Sequence, residues 1–217
     1  MKEIKHLLVH EFKMEMRNKH SLSGILVYVV STVFVCYLSF RRVIDVPTWN
    51  ALFWIIMLFA SINAVAKSFM QQSKGRMLYY YSLVSPQGFI LAKIIYNSLL
   101  MTGLGLVCAL VYGALLGNLV SDPLLFAIAI AIGASGFAAT FSLMSAIASR
   151  SGNSPTLMAI LSFPVIIPFL ITLIGLSKNA IDGLNRSASL QEIAILLGIE
   201  AIVVALSYIL FPYLWRN

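Results

Sequence analysis

The chain has 217 residues, 60% of them hydrophobic and 11% charged, and a net charge of +7. A soluble domain carries about 25% charged residues, so a sizeable aqueous domain is excluded. The positive balance does not point to nucleic acid, because the basic residues stand in short segments beside apolar stretches, where they set topology and meet anionic headgroups.

Six apolar stretches, at about 22–40, 49–66, 89–117, 123–148, 156–176 and 193–214, punctuate the chain. A helix rising 1.5 Å per residue needs about 20 residues to cross a ~30 Å hydrocarbon layer. The stretches therefore predict an all-α, multi-pass integral membrane protein, one transmembrane domain over 1–217 with the lipid bilayer as its solvent. No cleavable signal peptide is expected, since the first 20 residues are charged and amphipathic and the run after them is long enough to span.

Residues 1–20 predict a helix lying in the membrane surface. Ile4, Leu7, Leu8, Phe12 and Met16 recur at helical spacing, with Lys2, Lys5, His6, Lys13 and Arg17 on the other face. Glu15 and Lys19 are spaced for an i,i+4 ion pair. The first span ends at Arg41-Arg42, partly offset by Asp45, before a short loop with Pro47. Trp49 and Trp54 open the second span, and Trp49 suits an interfacial aromatic belt. Asn63, inside that span, is expected to hydrogen-bond between helices.

The segment 67–88 is the richest soluble piece. Gly75 allows a turn, and Arg76 to Val84 reads as a short helix with Met77, Tyr80, Tyr81 and Val84 at helical spacing. Ser85-Pro86-Gln87-Gly88 breaks it before Lys93 and the third span. This is the form that a docking element for a cytoplasmic subunit takes; a plain surface-lying loop is the alternative.

Small residues mark the third and fourth spans: Gly113 with Gly117, then Ala127, Ala131, Ser135 and Ala139. Such residues let helix backbones approach closely in lipid. The short link from Asn118 to Pro123 predicts an antiparallel hairpin. In the fifth span Pro164 and Pro168 share one helix face, and each removes an intrahelical hydrogen bond. A kinked or broken helix against a neighbour or a second subunit is expected. The polar segment 177–192 allows a short helix. Glu200 lies about two turns inside the sixth span, where an acid marks a functional hypothesis, with a hydrogen-bonded structural role as the alternative. Tyr208, Tyr213 and Trp215 suit a second aromatic belt. Cys36 and Cys108 fall within spans and read as small apolar fillers.

With the N-terminus in the cytoplasm, eleven of the fifteen Lys and Arg residues face inward; Arg41, Arg42, Lys178 and Arg186 face outward. Both termini are therefore expected inside.

The chain has no G-x-x-x-x-G-K-[ST] phosphate loop, no CxxC and no HExxH. A non-catalytic subunit is expected, powered by a partner or an ion gradient and binding no cofactor or metal itself. His6, His10 and His20 are the only histidines, so a bis-His haem site within the membrane cannot be built from this chain alone.

An N-terminal elbow, six spans and a short helix between the second and third resemble the permease subunits of ABC-2-type transporters. Leu83-Val84-Ser85-Pro86 followed by Phe89-Ile90-Leu91-Ala92-Lys93 is similar to the coupling-loop exit of the CcmB family, the membrane subunits of cytochrome c maturation transporters. Leu157 to Pro168, with its two prolines, resembles that family's fifth helix. Ahead of Gly75 the chain departs from the family's acidic pattern with Gln71, Gln72 and Lys74. The resemblance implies haem delivery or export and release of a haem-loaded chaperone. It implies a homodimer joined to CcmA-like ATPase subunits that bind ATP-Mg, and to a CcmC-like haem-handling membrane protein. On that reading Gly75, Tyr80, Tyr81, Leu83 and Pro86 couple to the ATPase, and Pro164 and Pro168 shape a gating or dimer-forming helix. A lipid, polysaccharide or drug exporter of the same architecture, and a non-transporting scaffold for haem-delivery proteins, stay open as alternatives.

Overall fold

The computed structural model describes residues 6–9, 11–13, 19–40, 44–70, 84–149 and 155–216. These residues are helical apart from short connections, and none of them forms a strand. Six helices follow in order: α1 Lys19–Phe40, α2 Val46–Met70, α3 Pro86–Leu116, α4 Pro123–Ala148, α5 Pro155–Asp182 and α6 Leu190–Arg216. Each contains a stretch long and apolar enough to cross a membrane. Residues 6–9 and 11–13 are helical ahead of α1.

The helix ends obey local rules. The Asp45 carboxylate accepts from the Thr48 amide at 3.4 Å and its carbonyl accepts from the Trp49 amide. Asp45 thus caps α2, and its capping role pulls Pro47 out of the expected loop into the first turn, where a missing N–H costs nothing. Gly117, at φ 93°, ends α3 in a conformation that side chains disfavour. Its expected partnership with Gly113 as a packing pair is not formed: Gly117 is exposed, and no atom stands within 4 Å of where a Cβ would lie. The Asp122 carboxylate accepts from the Leu124 and Leu125 amides and caps α4.

α4 lies at the centre, against α2, α3, α5 and α6, and its most extensive contact is the predicted hairpin with α3. Of the expected stripe Ala139 is buried in the core, but the other small residues that permit this are offset from it. Ala131 is exposed and Ala127 half-buried, whereas Ala129, Gly133 and Gly136 are buried. A Cβ on Gly133 would come within 2.7 Å of Trp54, and one on Gly136 would collide with the Phe169 ring. The difference is one of helix phase: sequence identifies small residues, but the neighbours decide which of them face a ring.

Several polar groups inside the bundle satisfy one another across helices, as an apolar solvent requires. The Trp54 indole donates to Ser177 Oγ at 2.8 Å, and Ser177 donates to Asn50 Oδ1 at 2.8 Å. The Asn50 amide donates to the Ile174 carbonyl at 2.9 Å, closing a network between α2 and α5. Trp49 is buried, not in a belt: its indole donates to the Gly117 carbonyl, and its ring meets Tyr112 edge-on at 4.8 Å. Tyr112 in turn donates to the Trp49 carbonyl. Asn63 is exposed, and its amide donates to the Phe59 carbonyl one turn back, so the expected bridge to another helix is replaced by a bond within α2.

At one end of the bundle α5 runs to Asp182, well past its predicted limit, and a 3₁₀ turn, Arg186–Ser189, leads into α6. There Arg186 grips Asp122 through two nitrogens, at 2.7 and 3.0 Å. The guanidinium, with the Leu125 amide, holds the Asp122 carboxyl down to about 2. At the opposite end lie the helical N-terminal residues, the start of α3 and the end of α6.

Candidate functional site at the start of α3

Ser85 occupies the N-cap of α3 in extended conformation; its hydroxyl accepts from the Gly88 amide at 3.2 Å. Pro86 follows at the first helical position, its ring preset for the turn. The Ser85-Pro86 pair is thus the device that starts α3.

The next three turns present one inward ladder at i,i+4 spacing: Phe89, Lys93 and Asn97, all buried. The Phe89 ring stacks on Phe211 at 5.8 Å and meets Trp215 at 5.1 Å, both on the last turns of α6. Lys93 Nζ donates to Glu11 Oε2 at 2.8 Å. The Asn97 amide donates to Ser142 Oγ on α4 at 3.0 Å. Successive turns of α3 therefore hold α6, the N-terminal helix and α4. The first turns of α3 are thus tied to three different helices.

Sequence alone places Lys93 among the topology-setting cations and in the coupling-loop exit, and gives Glu11 no role. The signal was present: Glu11 stands four residues after Leu7, on the apolar stripe, where a carboxylate needs a cation. Leu7 is buried on the same side, while Phe12 is exposed. Trp215 belongs to this cluster rather than to a belt, and Tyr213 on the same helix is exposed.

Of the other candidates, Gly75, Tyr80, Tyr81 and Leu83 lie outside the described residues, as does the expected Glu15–Lys19 pair. Pro164 and Pro168 lie together on the exposed face of α5, with Phe163, Ile167 and Ile171. The helix runs through both prolines without a break, and the Thr172 hydroxyl donates to the Pro168 carbonyl at 3.0 Å. Among the described residues neither proline is buried against a neighbouring helix. Glu200 is half-buried between α6 and α4 and accepts from the Ser135 hydroxyl at 3.0 Å. Neither Glu200 nor Asn63 belongs to the ladder. Cys36 and Cys108 are free thiols. Among the described residues no three His, Cys, Asp or Glu side chains converge as metal ligands.

The model of the CcmB protein family matches residues 2–214. This chain belongs to the CcmB family. No curated protein and no solved structure matches it. As a CcmB-family protein it is a multi-pass membrane subunit of a cytochrome c maturation ABC transporter, which works with an ATPase partner. The joint at the start of α3 is where the stretch between the second and third spans enters that subunit.

Proposed function

We propose that this CcmB-family chain receives force from a CcmA-like ATPase through residues 75–88 and passes it, through the start of α3, to helices across the bilayer. Tyr80, Tyr81 and Leu83 fill a groove on the ATPase, and Gly75 and Pro86 bound the moving segment. The observation that carries this is the Phe89–Lys93–Asn97 ladder, which begins at the residue after the segment and ties the start of α3 to α6, the N-terminal helix and α4. A stretch used only to connect two spans needs no such anchorage.

The segment, the N-terminal helix and the end of α6 face the cytoplasm of an inner membrane, in line with the eleven cations on that side. ATP and Mg²⁺ bind the partner, and hydrolysis occurs there. The chain acts as a homodimer, with the exposed proline face of α5 against the second copy. Haem is cargo of the assembly, which releases a haem-loaded chaperone. Its ligation falls to a CcmC-like partner, because all three histidines of this chain precede residue 21 and none lies in a span.

The test is co-purification. Tyr81→Asp with Leu83→Asp buries two charges in the contact, so the ATPase should be lost from the purified complex while the membrane subunit still inserts. Undiminished recovery of the ATPase would overturn the reading, as would labelling that places Lys74 outside the cell.

A further inference from the structure

Between the N-terminal helix, α1 and α3 runs an apolar groove of about 750 Å³. That is the size class of a site for one small ligand, about 300–1,000 Å³. Its floor on α3 extends from Tyr96 to Val107, a rise of about 16 Å along a helix. This is about half of a ~30 Å hydrocarbon layer, the depth of one leaflet. Phe12 and Lys13 of the N-terminal helix line the groove, so it is bordered by a cationic side chain although its lining is mostly apolar. That helix is pinned at the same level by the Glu11–Lys93 pair.

Gly103 sits within the floor, exposed, and a Cβ added there would meet nothing within 4 Å. A glycine inside a helix costs about 1 kcal/mol relative to alanine, and among the described residues no atom comes close enough to Gly103 to account for it. What it does is deepen the groove. A second protein helix is a poor occupant, because the N-terminal helix lines one end of the channel and would stand in the path of a partner running the full span.

We propose that the groove is a binding site for one anionic phospholipid, its acyl chain along Tyr96 to Val107 and its phosphate on Lys13. Charge favours this class: residues 1–20 hold Lys2, Lys5, Lys13, Arg17 and Lys19 against Glu3, Glu11 and Glu15, and Glu11 is committed to Lys93. The site places a lipid headgroup beside the joint at the start of α3 and makes the N-terminal helix sensitive to leaflet composition.

The test uses the full-length chain in mild detergent, with phosphatidylglycerol or phosphatidylcholine titrated in and bound lipid counted by native mass spectrometry. The wild type should hold one phosphatidylglycerol. Gly103→Leu, which fills the floor, and Lys13→Glu, which reverses the charge at an exposed position, should each weaken retention about tenfold. Gly103→Ala, and Leu110→Phe on the exposed face of α3 outside the groove, should retain it. Lys13→Glu touches no packing, so its result stands even if Gly103→Leu unfolds. Retention unchanged in Lys13→Glu, or equal retention of phosphatidylcholine, would overturn the proposal. So would a Gly103→Leu variant that turns dimer into monomer at constant lipid count, which would make the groove a protein interface.

Discussion

Lys93 and Glu11 meet at 2.8 Å, 82 residues apart in the chain, and their side chains are only 2% and 8% exposed. Removing one partner leaves a buried charge alone, which costs about 3–5 kcal/mol, whereas replacing both with apolar groups is close to neutral. Lys93→Met should therefore lower the unfolding midpoint in detergent sharply, and Glu11→Leu added to it should restore most of the loss. Additive losses in the double variant would show that the two residues do not act as a pair.

Phe89 should separate coupling from folding. Phe89→Ala opens a cavity against Phe211 and Trp215 and should cost about 3–5 kcal/mol. Phe89→Leu keeps most of the apolar volume and should assemble normally, but with less mature cytochrome c formed per ATP hydrolysed. A normal yield from Phe89→Leu would mean that the ring's stacking carries no force.

Asp122 gives a pH dependence with a defined sign. Its carboxyl falls from the ordinary 3.8 to about 2 on folding, chiefly through Arg186. Its contribution to stability is therefore complete above about pH 4 and lost as the pH falls toward about 2. Asp122→Asn should flatten the thermal midpoint across that window and leave a less stable protein at neutral pH. Arg186 is 59% exposed, so salt should reduce the difference. A variant whose midpoint drops with acid as steeply as the wild type would show that other groups carry the acid sensitivity.

Close packing at the middle of α4 predicts a steric effect. Gly136→Ala places a methyl into the Phe169 ring and should cost about 1–3 kcal/mol. Phe169→Leu should recover part of this in the double variant, because it removes the obstructing atoms. Thermal unfolding of the four proteins closes the cycle, and a neutral Gly136→Ala would show that α5 yields freely there.

Composition and spacing alone determined the class of this protein, the number of crossings and the short hairpin between α3 and α4. The bilayer imposes a length and a polarity on each crossing that can be counted along a chain. The Ser85-Pro86 start of α3 was equally legible, because N-caps act within four residues. Which side of each helix faces inward was decided only by tertiary structure. In lipid both sides of a helix are apolar, so no hydrophobic contrast distinguishes core from surface, and Ala131, Asn63 and Trp49 each turned out on a different face from the expected one. The pairing of Glu11 with Lys93, and of Phe89 with the end of α6, joins positions that are adjacent only once six helices have packed.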